Sequence, residues 1–235
     1  PRRHRPPPRG RGSRSGLHLS RDGGANWSDV TPSRMPEWAQ INSIDAHPFE
    51  KGGLYVAATR YKLDDFRPYL YRTTDYGATW THLTPGTNGI PADYPTRVVR
   101  EDPDREGLLY AGTEFGLFVS FDDGAHWQAL DPGLPPVPVT DLMVRQGDLV
   151  AATQGRGFWV LDDLSPLREA SDGVADEPLH VFTPGPVEML KGGGEADDFE
   201  AENPPRGVVL RYHLRGENED RKSTRLNSSH SSVSR

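Results

Sequence analysis

Charged and aromatic side chains capable of binding or catalysis concentrate in one stretch, residues 59–69, which holds Arg60, Tyr61, Lys62, Asp64, Asp65, Arg67 and Tyr69. Arginine at two of these positions matters because a guanidinium fork can hold a carboxylate in a fixed plane through two parallel hydrogen bonds. Asp64 and Asp65 become general acid–base candidates only if burial raises a pKa towards neutrality. Arg97, Glu114 and Arg156 lie on other short connections that the strand pattern brings towards the same rim. The same residues support a plainer reading, in which the charges pair with one another and solvate a long loop. A second group, Asp22, Asp75 and Asp122, recurs at a fixed place in a repeat. Asp122 and Asp123 together offer two carboxylates to a metal, but the repeat context favours a structural role.

That repeat is Ser/Thr-x-Asp-x-Gly-x-x-Trp. It appears as Ser20 to Trp27, Thr73 to Trp80 and Ser120 to Trp127, with the aspartates 53 and 47 residues apart. The spacing fits one four-stranded propeller blade of roughly 40–50 residues. Each residue type has a physical task. The aspartate can accept hydrogen bonds from backbone N–H groups of its own turn, and glycine permits positive φ where the chain reverses. Tryptophan opens the next strand and is expected to bury its ring between blades, so Trp27, Trp80 and Trp127 are all expected inside.

Short β-rich runs surround the repeats. The pattern predicts strands at 41–47, 53–58, 69–73 and 80–83, then at 96–100, 108–112, 117–120 and 127–130. Three more follow at 139–144, 148–152 and 158–161. Residues 17–19 and 27 onward read as the last two strands of an earlier blade. The expected fold class is all-β: a partial propeller over residues 16–168, an acidic Gly-rich linker over 169–202, and the start of a β-sandwich-like domain over 203–219. Counting strands from the axis outward puts the Asp turns on one face and the 59–69 loop on the other.

The three turns resemble the Asp-box, or bacterial neuraminidase repeat, and residues 16–168 resemble bacterial BNR-repeat "glycosyl hydrolase" and sortilin-like proteins. The likeness is carried also by Ala57–Tyr69, Arg97–Pro103 and Gly155–Asp163. It implies an exported β-propeller. In sialidases of this kind, arginines clamp the substrate carboxylate, a tyrosine is the nucleophile and carboxylates act as base and acid. On that analogy Arg60, Arg67, Arg97 and Arg156 are ligand-binding candidates, with Asp64, Asp65, Tyr61 and Glu114 as the weaker catalytic set. A glycan- or polypeptide-binding module is the first expectation, a sialidase-type glycoside hydrolase the second and a structural scaffold the third. A closed ring takes at least four blades, so the remaining blades of a longer chain are expected partners.

Composition narrows the classes. Hydrophobic residues are 34% of the 235, charged residues 26%, and Gly with Pro about a fifth, which suits short strands and tight turns better than helices. Cysteine is absent, so disulfides, Cys-ligated zinc and thiol nucleophiles are excluded, and export from a bacterium is compatible. A net charge of −7 argues against a nucleic-acid partner. No apolar run reaches the roughly 20 residues of a membrane helix. Neither a cofactor nor a metal is expected. Residues 1–15 are basic and Pro-rich, and are expected to be a disordered or artefactual tail. Residues 220–230, DRKSTRLNSSH, resemble the translation of a sequencing adapter, so 220–235 are expected to be artefactual.

Overall fold

The structure is a computed structural model. It describes residues 16–131, 133–170, 172–185 and 208–215, so both expected artefactual tails lie outside the described residues. The chain divides into two compact units after Leu161.

The first unit is an all-β partial propeller. Its first complete blade is an antiparallel meander of Gln40–Ala46 (β3), Leu54–Arg60 (β4), Asp65–Thr73 (β5) and Thr81–His82 (β6). The second repeats the order with Thr96–Glu101 (β7), Leu109–Thr113 (β8), Gly116–Ser120 (β9) and Gln128–Leu130 (β10). Before them His18–Leu19 (β1) pairs with Ser28–Asp29 (β2), the counterparts of a third and fourth strand. After them Val139–Arg145 (β11), Asp148–Thr153 (β12) and Phe158–Leu161 (β13) form a three-stranded sheet. The predicted strands are all present. The largest difference is in the first blade, where β4 extends to Arg60 and β5 begins at Asp65. The expected long loop of 59–69 therefore shrinks to one 3-10 turn, Tyr61–Leu63, closed by Asp64 in the left-handed region at φ 56°.

Interiors lie between blades. Tyr55, Ala57, Leu70, Leu83 and Ile90 of one blade pack with Val99, Leu109, Ala111, Phe118 and Trp127 of the next. A second cluster joins Leu17 of the β1–β2 pair to Val56, Ala58, Tyr69 and Tyr71. Arg100, on the innermost strand of the second blade, donates to Ser43 Oγ on β3 (2.9 Å), to the Asp141 carboxylate on β11 (2.7 Å) and to the Leu142 carbonyl (2.9 Å). One guanidinium thus ties three inner strands together. Glu101 points the other way, as strand alternation requires. It is buried, accepts from the Tyr55 hydroxyl at 3.0 Å and from the Gly107 amide at 2.9 Å, and lies 3.0 Å from His47 Nδ1. Both charges are blade-to-blade ties.

The three Asp turns are built alike. Asp22, Asp75 and Asp122 accept from the backbone N–H four residues on, in Asn26 (2.9 Å), Thr79 (2.8 Å) and His126 (2.8 Å). The hydroxyls of Ser20, Thr73 and Ser120 donate to those carboxylates and accept from the amides of Gly24, Gly77 and Gly124. Hydrogen bonds from residue 26 and residue 79 hold the Asp22 and Asp75 carboxyls at about 2. The carboxylates stand one to a turn, not grouped in a pocket.

The tryptophans correct the expectation of uniform burial. Trp127 is 4% exposed, Trp80 is half-buried and Trp27 is 63% exposed. The difference follows the preceding blade. Trp127 donates from Nε1 to the Leu83 carbonyl (3.0 Å) and Trp80 to the Val30 carbonyl (2.8 Å), each just past an outermost strand of the sheet before. Among the described residues Trp27 donates only within its own turn, to Gly24 O (3.1 Å).

The second unit holds two short helices, Ser165–Glu169 (α1) and Asp172–Asp176 (α2), and a pair of strands, Leu179–Val181 (β14) with Tyr212–Leu214 (β15). The expected acidic Gly-rich linker, residues 169–202, holds α2 and β14 among its described residues. The predicted 203–214 strand is confined to Tyr212–Leu214 among the described residues, and its partner lies inside the expected linker.

The interblade seat makes a direct prediction. Trp127→Ala removes a buried ring and a satisfied donor, and is expected to cost about 3–5 kcal/mol in urea unfolding. Trp27→Ala is expected to stay within about 0.5 kcal/mol. Equal losses at the two positions would refute the blade-to-blade explanation.

Candidate functional site

Consecutive antiparallel connections alternate ends of a sheet, so the β4–β5 turn lies opposite the β5–β6 turn that carries Asp75. The β8–β9 and β12–β13 turns share that end with the segments entering β3 and β7. This rim holds every charged residue singled out for binding.

The structure sorts those residues into two closed groups. In the first, Asp65 is buried at the start of β5 and takes both arginines. Arg67 grips it with Nε and Nη2, each at 2.8 Å, and Arg60 Nη1 adds a third contact at 3.1 Å. The Tyr69 hydroxyl donates to the same carboxylate at 2.8 Å. The Arg67 guanidinium, with Tyr69 and Arg60 and against the opposing effect of burial, holds the Asp65 carboxyl well below the usual carboxylate range. Burial first, then the neighbouring Asp65, pushes the Tyr69 phenol up to about 12. Arg60 also donates from Nε to the Glu37 carbonyl at 2.9 Å, pinning the segment that enters β3.

The second group pairs Arg97 with Glu114, Nε to Oε1 at 2.7 Å and Nη2 to Oε1 at 2.6 Å. Arg97 also lies 5.7 Å from the centre of the Tyr61 ring, a cation–π distance. Asp64 and Arg156 are exposed and join neither group; the Arg156 carbonyl only receives Trp159 Nε1. Three of the four arginines expected to clamp an anion, Arg60, Arg67 and Arg97, are thus already engaged by carboxylates of this chain.

Sequence reading missed the apolar part of the rim. Trp38 stands just before β3 with φ 67°, a conformation uncommon for a bulky residue, and is 49% exposed. Phe66 and Leu63 flank the β4–β5 turn and are half exposed. Phe115, on the β8–β9 turn, is equally exposed and lies against Tyr94, ring centres 4.7 Å apart. Turn position alone could have flagged Phe115 and Phe66, which follow polar turn residues where no core is available. Phe158 is still more exposed but shares its strand face with the exposed Val160, so it belongs to the open face of the third sheet.

Among the described residues no three His, Asp or Glu gather as a metal site, and no helix is long and apolar enough to cross a membrane.

No family model and no curated protein matches this chain. Solved structures that resemble it include a GH74 xyloglucanase from Xanthomonas campestris, at 19% identity over 64% of this chain and 25% of that one, with a TM-score of 0.49. YCF48 bound to a D1 peptide is similar at 22% identity over 63% of this chain and 45% of that one, TM-score 0.44. A GH74 enzyme from Niastella koreensis is similar at 17% identity over 52% and 21%, TM-score 0.42. The chain spans less than half the length of each. At these identities and scores the likeness extends to no substrate or partner, and the propeller assignment rests on the blades described above.

The Asp65 cluster predicts a pH signature. Its folded-state pKa is depressed, so its contribution is fully present above the unfolded value of about 3.9 and is lost only as pH falls through the lower folded value. Asp65→Asn is expected to cost about 1–3 kcal/mol at pH 7, because it strips Arg60 and Arg67 of their shared partner. The difference from the parent should shrink below pH 4. Urea unfolding at pH 7 and pH 3 checks this; a gap that grows on acidification would refute the assignment.

Proposed function

We propose that the rim opposite the Asp turns is the ligand-binding face of an exported, BNR- and sortilin-like propeller, and that its ligand is a glycan. The observation that carries this reading is the division of the rim: its arginines other than Arg156 are neutralised within the chain, while Trp38, Phe66 and Phe115 are left facing solvent. Exposed aromatic rings at loop ends of a rigid sheet offer flat apolar platforms. The C–H-lined face of a sugar ring stacks on such a surface, and the polar edges of the ring meet the paired guanidinium and carboxylate groups beside it. Further blades of a longer chain complete the ring in this reading.

A sialidase-type hydrolase fits the described rim less well. It needs free guanidinium groups and a carboxylic acid of raised pKa, whereas Arg60, Arg67 and Arg97 are paired and Asp65 is held low. A purely structural scaffold would leave the aromatic rim without a task.

Calorimetric titration of the whole chain with neutral oligosaccharides tests the proposal. Trp38→Ala and Phe66→Ala are each expected to weaken binding about tenfold, the equivalent of about 1.4 kcal/mol. Unchanged affinity in both, with the circular dichroism spectrum intact, would overturn the rim assignment. Binding of unfolded polypeptide, with no glycan bound, would replace the glycan by a polypeptide ligand.

A further inference from the structure

A groove of about 430 Å³ lies between the β2–β3 segment and the β5–β6 strands. That volume is within the roughly 300–1,000 Å³ of small-molecule sites. Pro32, Ser33 and Arg34, from the segment between β2 and β3, form one side. Tyr71 on β5, with Trp80, Thr81 and His82 on and before β6, forms the other.

The unused polar groups of this groove are informative. The Arg34 guanidinium is exposed and has neither an ion-pair nor a hydrogen-bond partner among the described residues. This sets it apart from Arg60, Arg67, Arg72, Arg97 and Arg100, all of which are paired with carboxylates. No aspartate or glutamate lines the groove. Two aromatic side chains bound it, and their own donors are already engaged: Trp80 Nε1 by the Val30 carbonyl at 2.8 Å, and the Tyr71 hydroxyl near the Arg34 carbonyl at 3.4 Å. Neither ring has a free donor to prefer water over an apolar face.

His82 supplies the complementary function. The Thr84 hydroxyl has one proton, which it gives to the Pro68 carbonyl at 3.0 Å. His82 Nε2 lies 3.3 Å from the same hydroxyl. Burial, against a hydrogen bond to the Pro68 carbonyl and reinforced by the nearby Arg34 and Arg67 charges, lowers the His82 pKa. The ring is held in place by stacking on Tyr71 at 4.9 Å. The groove therefore presents one unpaired cationic fork, one imidazole, the hydroxyls of Ser33 and Thr81, and the half-buried Trp80 ring.

We propose that this groove binds a carboxylate-bearing sugar, a uronic acid residue of an acidic glycan, with Arg34 on the carboxylate, His82 hydrogen-bonding to a ring hydroxyl and Trp80 bounding the ring. A neutral sugar would leave the guanidinium without its counter-ion. A second, separate site would let the propeller hold an acidic branch or neighbouring segment while the rim holds another. The inference does not depend on the rim reading.

The test is titration of the whole chain with a galacturonic acid trisaccharide, with the corresponding neutral galactose trisaccharide and with an aspartate-rich peptide in parallel. The expected result is binding of the uronide, at least about tenfold weaker binding of the neutral sugar, and a similar loss with Arg34→Ala. Arg34→Lys should recover only part of it, because an ammonium cannot reproduce the planar fork. Arg34 is exposed, so both variants are expected to fold. Uronide affinity unaltered by Arg34→Ala would overturn the site, as would equal binding of the neutral sugar or no binding of the uronide. Binding of the acidic peptide in preference to the uronide would overturn the sugar assignment.

Discussion

The indole N–H of a turn tryptophan must find a carbonyl, and Trp80 and Trp127 find one on the preceding blade. Trp127 reaches Leu83 and Trp80 reaches Val30, and the glycine of the same turn sits on the same residue. A Cβ added at Gly77 would lie 2.6 Å from Val30, and one at Gly124 would lie 3.1 Å from Leu83. Both glycines have φ of 83°, so side chains are disfavoured there twice over, by backbone conformation and by the neighbouring blade. The repeat motif is thus a docking device as well as a turn. It fixes the spacing and angle between blades, and the rim inherits its geometry from that spacing.

Charge follows the same logic. Arg100 bridges three inner strands, Glu101 seals the interface with Tyr55 and His47, and Arg72 pairs with Asp123 of the next blade. Burying a charge is tolerable only when it is paired and hydrogen-bonded, and blade interfaces provide such pairs repeatedly. The rim extends the pattern: Asp65 collects two arginines and a tyrosine, and Glu114 collects one. A carboxylate so stabilised as an anion is a poor proton donor, which is why geometry that resembles a catalytic set on paper acts as a brace.

The two ends of the propeller consequently differ in kind. The Asp-turn end is repetitive and dominated by backbone hydrogen bonds, which leaves little freedom for recognition. The opposite end carries the turns that differ most between blades, with Trp38, Phe66 and Phe115 exposed and one tryptophan backbone held at positive φ. The unpaired Arg34 belongs to neither system, which gives it its interest.

The sequence alone determined what is local. Alternation placed each predicted strand to within a few residues, and the Ser/Thr-x-Asp-x-Gly-x-x-Trp spacing foretold the turn hydrogen bonds, because all partners lie within four residues of one another. It also placed the Asp turns and the Arg60–Arg67 region on opposite ends, since antiparallel connectivity leaves no choice. What it could not determine depends on neighbours distant in the chain. Trp27 and Trp127 share one motif yet differ from 63% to 4% exposure, because burial is decided by the sheet before them. Arg60 and Arg67 are engaged because β5 begins at Asp65, a register set by pairing with β4. Arg34 and His82 are 48 residues apart in sequence and line one groove only through packing of the β2–β3 segment against the β5–β6 strands. Turn chemistry is encoded over a handful of residues, whereas ion pairing, burial and grooves are settled by which blade lies next to which.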